Sequence, residues 1–331
     1  MTRLRRTTPD DKGWGRRRAG KGFVYIDESG ARLSEKNAQR CRDLVIPPAW
    51  EDVWICPVEN GHLQAVGIDD AGRRQYLYHP AWREQRDSQK HVRVLGFGRA
   101  LSQARERILV DLGGHGMSLE RACATATRLL DLGSFRIGND VYADAHGSFG
   151  LTTLKRRHVR KQRGSLVFKF EGKSGIEHHV EIDDPVAIES LDVMRARRGG
   201  DQLLAFKDGR SWCDLDSSHV NDYLRETTGE EYTAKDFRTW HATVLAAAAL
   251  AEFEETGETK ASRKRAILGV MKEVADFLGN TPTLARNSYV DPRVVDAYEE
   301  GNTIAATTNR RHRTADERQA ALERAVLRLL R

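Results

Sequence analysis

Long apolar runs are missing from this sequence. The longest, around Val244–Ala251, is far shorter than the roughly 20 residues a bilayer-crossing helix needs, so no membrane partner is expected. Cysteine is scarce. Cys41, Cys56, Cys123 and Cys213 form no C-x-x-C pair, and their gaps fit no zinc pattern. They read as reduced thiols of a cytoplasmic protein. The basic N-terminus is not followed by the apolar segment of a secretory leader, so none is expected. Internal repeats are also missing.

Complete nucleotide and metal motifs are absent too. Gly172-Lys173-Ser174 lacks the earlier glycine of a P-loop, and it joins two expected strands rather than a strand and a helix. Gly96-Phe97-Gly98 lacks the third glycine of a dinucleotide fingerprint. Glu177-His178-His179 is not H-E-x-x-H, and neighbouring strand residues face opposite sides, so these histidines do not share a metal. The sequence gives no reason to expect a metal or a cofactor.

Net charge is a weak signal here. The chain carries +6 over 331 residues, and the first 22 residues alone carry eight basic side chains against Asp10 and Asp11. The remaining 309 residues therefore sum to zero. Residues 1–21, rich in Arg and Gly, read as a basic flexible tail. Within the balanced body, Lys155–Lys173 holds eight basic residues against Glu171 alone, while Glu252, Glu254, Glu255 and Glu258 cluster elsewhere. A local positive field of this kind suits a groove around an anionic polymer.

What is present is a soluble globular composition, 39% hydrophobic and 31% charged, long enough for two medium domains. Residues 22–90 alternate short apolar segments with Gly/Asp turns: Phe23–Ile26, Val53–Cys56, Leu63–Val66 and Arg73–Tyr78, with one helix at Ser34–Leu44. From residue 91 to 331 the periodicity is mostly helical: Val92–Leu112, Leu119–Gly133, Pro185–Arg197, Ser217–Thr227, Thr239–Glu254, Ser262–Leu278, Pro292–Glu300 and a last helix capped by Thr314-x-x-Glu317. A hairpin, Ser165–Phe170 and Glu177–Ile182, interrupts them. The fold class is α+β: a small antiparallel β-sheet domain followed by a larger, mostly helical one.

Four separated segments carry the chemistry. They are Phe135-Arg136-Ile-Gly-Asn139, Phe170-Glu-Gly-Lys173-Ser-Gly, Lys235-Asp-Phe-Arg238-Thr, and Gly279-Asn280-Thr-Pro followed by Ser288-Tyr289. Their order resembles the type IB DNA topoisomerases, in particular the small poxvirus-type enzymes and their bacterial relatives. Gly150-Leu-Thr-Thr-Leu-Lys155, Ile46-Pro-Pro-Ala-Trp50 and Gly72-Arg-Arg-Gln75-Tyr76-x-Tyr78 extend the likeness over about residues 22–300. The resemblance implies a catalytic domain of the tyrosine recombinase/type IB topoisomerase type. It implies Tyr289 as the nucleophile that becomes linked to a DNA 3′-phosphate, Arg136 and Arg238 on the scissile phosphate, and Lys173 as general acid. Asn280 stands where poxvirus enzymes carry His. An amide donates a hydrogen bond but is neither acid nor base, so only phosphate contact carries over.

The chemistry agrees. A phenol forms a covalent phosphodiester but, with a free pKa near 10, needs activation. Guanidinium forks match the charge that gathers on the non-bridging oxygens. The expected partner is duplex DNA, clamped by a monomer between its two domains, in the cytoplasm at the nucleoid. Gln75, Tyr76, Tyr78, Lys155, Arg156, Arg157 and Lys235 are the expected DNA contacts. Two alternatives stay open. One is a tyrosine recombinase, although these usually carry His where Lys235 stands and need an element exchanged between protomers, for which the C-terminal helix is a candidate. The other is a non-catalytic duplex-binding protein.

Overall fold

The computed structural model describes residues 3–20, 22–138, 147–253 and 259–331. Lys21, Asn139, Glu254, Glu255 and Glu258 lie outside the described residues. The chain divides between Val92 and Arg93 into two compact units.

The first unit is a five-stranded antiparallel sheet, order β2-β1-β3-β4-β5. Its strands are β1 (Trp14–Ala19), β2 (Gly22–Ile26), β3 (Glu51–Ile55), β4 (Leu63–Ile68) and β5 (Arg74–Tyr78). Helix α1 (Glu35–Asp43), capped by Ser34, adds Cys41 to a small core of Tyr25, Ile46, Ile55 and Ala65. The expected flexible tail is corrected here: residues 14–19 are an interior strand, paired with β2 on one side and β3 on the other. Low apolar content hid it. The strand needs few apolar side chains because Arg16 lays its guanidinium over the Phe23 ring at 4.1 Å. Arg16 also donates to the carbonyls of Ile46, Pro47 and Trp50 at 3.1, 2.6 and 2.7 Å. Upstream, Trp54 Nε1 donates to Asp11 O at 3.0 Å and His62 N to Arg5 O at 2.8 Å. Much of the apparent basic tail is therefore built into the sheet.

Helix α2 (Pro80–Leu112) starts at Pro80, not Val92. Proline fits the first helical turn, and the polar run Arg83–His91 carries no apolar period to betray the helix.

The second unit contains α3 (Leu119–Gly133), α4 (Pro185–Ala196), α5 (Ser217–Thr228), α6 (Ala234–Glu252), α7 (Lys260–Leu278), α8 (Pro282–Ser288), α9 (Pro292–Glu299), α10 (Ala305–Thr308) and α11 (Ala315–Leu329). It also holds a three-stranded antiparallel sheet, β6 (Val159–Gln162), β7 (Ser165–Glu171) and β8 (Glu177–Ile182). An unexpected hairpin, β9 (Ala205–Asp208) and β10 (Ser211–Asp214), completes it.

Helix α6 is the axis of this unit and is buried along most of its length. Its alanines let neighbours close in, and Trp240 and Phe237 fill the space against Phe97 and Leu101 of α2. A Cβ on Gly98 would lie 2.6 Å from the Trp240 ring, so the Gly96-Phe97-Gly98 run serves helix packing.

Buried charges fix α6 and α11. Asp131 accepts from Arg105 at 2.7 Å and lies 3.1 Å from His241 Nε2, one turn beyond Arg238. Arg105 also donates to Glu323 of α11 at 2.7 Å. Burial pushes the Asp131 carboxyl up, but Arg105 and His241 outweigh it and hold the group well below the carboxylate range. The C-terminal helix thus packs on its own unit. Replacing Glu323 with Ala leaves the Arg105 guanidinium short of a partner. It should cost about 1–3 kcal/mol, seen as a lower urea midpoint at unchanged m-value.

Candidate active site

Two helix C-termini converge. Helix α3 ends in Ser134, with left-handed φ 48°, and α7 ends in Gly279, with φ 59°. Such ends leave carbonyls without intrahelical partners, and cations stabilise them. Arg238, only 3% exposed, supplies one cation: its Nη1 donates to Ser134 O and its Nη2 to Leu278 O at 2.7 Å. Ser134 Oγ donates to Phe277 O at 2.9 Å, tying the same two ends. Arg136 donates through Nη2 to Gly279 O at 3.1 Å and to Asn280 Oδ1 at 2.7 Å.

The segment carrying Arg136 is held by the one that follows it in the motif. Leu151 N donates to Arg136 O and Thr152 N to Ile137 O, both at 2.7 Å. The two segments touch so closely that a Cβ on Gly150 would lie 2.5 Å from Gly138 Cα. This is the physical content of the Gly150-Leu-Thr-Thr sequence.

Tyr289 caps the C-terminal end of α8, its N donating to Ala285 O at 3.0 Å. Thr243 of α6 anchors the segment beyond it. Its Oγ1 lies 3.3 Å from Tyr289 O and accepts from Asp291 N at 3.2 Å. Tyr289 is 9% exposed, with the Arg238 guanidinium 5.5 Å from its ring centre. Burial pushes the phenol up. The charges of Arg238 and Arg136, with the approach of the Arg238 and Asn280 side chains, overcome this and leave its pKa below the ordinary value. Arg238 itself is drawn down to about 10 by burial and by Arg136, which keeps it charged at neutral pH.

Arg136 Nε, Arg238 Nε and Asn280 Nδ2 are buried with no hydrogen-bond partner assigned among the described residues. Buried polar groups are normally paired. With Arg238 and Asn280 approaching the phenol and Arg136 adding its charge, the donors near Tyr289 suit an oxyanion.

Comparison with known proteins agrees. The eukaryotic DNA topoisomerase I catalytic core matches residues 79–317, and the bacterial DNA topoisomerase IB N-terminal domain matches residues 22–69. This chain belongs to the type IB DNA topoisomerases. It is 26% identical over 292 residues to DNA topoisomerase 1B of Acanthamoeba polyphaga mimivirus, covering 86% of this chain and 87% of that one. Identity to DNA topoisomerase 1B of vaccinia virus (strain Copenhagen) is 20% over 266 residues, 79% of this chain and 78% of the other. A 130-residue stretch is 32% identical to DNA topoisomerase 1 of Daucus carota, 38% of this chain but 15% of the plant protein. As a type IB topoisomerase the chain acts on DNA and relaxes it by transient cleavage.

Of the site residues expected in this topoisomerase, Arg136, Arg238, Asn280 and Tyr289 come together. Lys173 stands exposed on the β7–β8 turn. Among the described residues it has no hydrogen bond or ion pair to the other four.

The expected DNA contacts fare unevenly. Arg157 and Lys235 are exposed, the latter in the first turn of α6, and Lys155 is half-buried. Tyr76, 45% exposed, stacks with Tyr78 on one face of edge strand β5 at 6.2 Å. Gln75 donates to Asp69 at 2.9 Å. Arg156 is the correction: its guanidinium donates to the carbonyls of Arg195, Arg197, Gly199 and Gly200, closing the end of α4. A fork so occupied serves the fold. Lys161, in the same basic run, pairs with Asp192 at 2.6 Å.

The depressed phenol is directly measurable. With tyrosines 13C-labelled at Cζ, the resonance lost in Tyr289→Phe should titrate below pH 10. Arg136→Gln removes a neighbouring cation, so the titration should move to higher pH.

Proposed function

We propose that this type IB topoisomerase works through a 3′-phosphotyrosyl intermediate formed by Tyr289. The observation that carries this reading is the Tyr289 phenol, lowered in pKa by the charges of Arg238 and Arg136 and by the approach of the Arg238 and Asn280 side chains. Tyr289 Oη gives up its proton to solvent and attacks the scissile phosphorus. The bond from phosphorus to the 5′-oxygen breaks, and Lys173 gives that oxygen a proton, leaving a 5′-hydroxyl. Arg136, Arg238 and Asn280 stabilise charge on the non-bridging oxygens, each donor worth about 3 kcal/mol. Rotation of the freed end relaxes supercoils of either sign. The reverse attack by the 5′-hydroxyl then reseals the strand and releases the tyrosine. The phosphotyrosyl link keeps the bond energy, so resealing as written draws on no nucleotide, and every catalytic group in the step is a side chain of this chain.

In this reading a monomer grips the duplex with both units at the nucleoid. Tyr76 and Tyr78 offer aromatic and hydroxyl contacts from the first unit, and Lys155, Arg157 and Lys235 offer phosphate contacts from the second. The packing of α11 on its own unit through Arg105 and Glu323 supports relaxation over strand exchange between protomers.

The test is plasmid relaxation by dilute protein in EDTA without ATP, followed by SDS trapping on a 3′-labelled strand. Wild type should relax supercoils of both signs and leave a covalent adduct. Tyr289→Phe should lose the adduct and retain duplex affinity. An adduct that persists in Tyr289→Phe overturns the assignment.

A further inference from the structure

His178 has no role in the chemistry above. Strand pairing sets Phe170 opposite His178, so both side chains share a face of the β7–β8 hairpin. The imidazole lies parallel to the Phe170 ring, centroids 5.1 Å apart and planes at 13°. Phe170 in turn stacks on Phe135, the residue before Arg136, at 6.0 Å. This column of three rings starts beside Arg136 and ends at His178.

The far edge of the imidazole fills a slot between two glycines. A Cβ on Gly172 would lie 2.6 Å from His178 Cδ2, and one on Gly279 would lie 2.5 Å from Cε1. Gly172 precedes Lys173, and Gly279 precedes Asn280. One ring therefore touches the backbone of the turn bearing Lys173 and the backbone of the segment bearing Asn280.

The two sides of the slot are unequal. Gly279 is fixed by the α7 cap and by Arg136, which donates to its carbonyl. The turn from Lys173 to Glu177 is exposed, with only short internal hydrogen bonds, Gly172 N to Ile176 O at 2.8 Å and Gly175 N to Gly172 O at 3.2 Å. The His178 ring is where this turn meets the Gly279 backbone.

We propose that His178 is a positioning residue that holds the Lys173 turn against the Gly279–Asn280 segment and so sets the distance from Lys173 to the leaving oxygen. The inference rests on Lys173 being the general acid. Burial, Arg136 and Arg238 lower the His178 pKa, so at neutral pH the ring is uncharged and does not compete for the phosphate. A misplacement of about 1 Å at a reacting group is worth on the order of 100-fold in rate.

Single-turnover adduct formation by the full chain tests this, on ordinary duplex DNA and on a duplex with sulfur replacing the bridging 5′-oxygen. A thiolate leaves without a proton donor, so the second substrate bypasses general acid catalysis. His178→Ala should slow cleavage of ordinary DNA by about 10–100-fold at unchanged duplex affinity, and cleavage of the sulfur substrate should return to near wild type. Equal slowing on both substrates, or none on either, overturns the proposal. Lys173→Ala is run alongside. If sulfur does not restore that variant, the general-acid reading itself fails, an outcome separate from the His178 result. His178→Phe keeps a flat ring on Phe170 without a titratable nitrogen. It should fold and cleave ordinary DNA faster than His178→Ala, or retain activity where His178→Ala does not fold. A folded His178→Phe as slow as Lys173→Ala on ordinary DNA overturns the proposal.

Discussion

The catalytic unit depends on one guanidinium. Arg238 reaches from the first turns of α6 to carbonyls at the ends of two other helices, at Ser134 and Leu278. Helix ends that meet this closely would repel each other through their unpaired carbonyls. A buried cation between them removes that conflict and places a third donor edge toward Tyr289. The arginine that would meet the phosphate is thus also the tie that brings Arg136, Asn280 and Tyr289 into range. Stability and chemistry share a residue here, and a simple loss of activity on changing Arg238 would not separate the two.

The rest of the unit serves the placement of that tie. Trp240 and Phe237 seat α6 against α2, and the Asp131, Arg105 and His241 contacts pin it one turn beyond Arg238. Because Arg105 also holds Glu323, the C-terminal helix bears on the register of the arginine without approaching it. Thr243, two residues further along, holds the backbone at Tyr289 O and Asp291 N. One short stretch of a single buried helix, residues 238–243, thus sets Arg238, the charge network and the Tyr289 segment.

Much of this is legible in the sequence. Most of the helices and strands follow from apolar period and caps, though the short helices α8 and α10 do not, and the four converging side chains follow from motif order. Several of the misses share a cause: each depends on a partner elsewhere in the chain. Arg156 reads as one more positive charge until its carbonyl partners, 39 to 44 residues on, come into contact. Residues 14–19 read as a charged tail because Arg16 finds its apolar surface on Phe23 and its acceptors around Trp50. His178 looks like half of a histidine doublet. The available signal was its register opposite Phe170 and the glycines at 172 and 279, whose pairing only the fold reveals. The Gly150-Leu-Thr-Thr run was recognised as a pattern, but its reason, a close backbone pairing with Arg136 and Ile137, was not.

The position of β1 in the sheet has a practical consequence for dissecting this enzyme. The recognisable likeness to bacterial N-terminal domains begins at residue 22, yet β1, at 14–19, lies between β2 and β3. A chain trimmed to the recognisable part would leave β2 without its neighbour and open a strand edge on β3, a surface prone to self-association. The boundary of homology and the boundary of the folding unit are different places in this protein. Anyone shortening it should cut by hydrogen bonds rather than by resemblance.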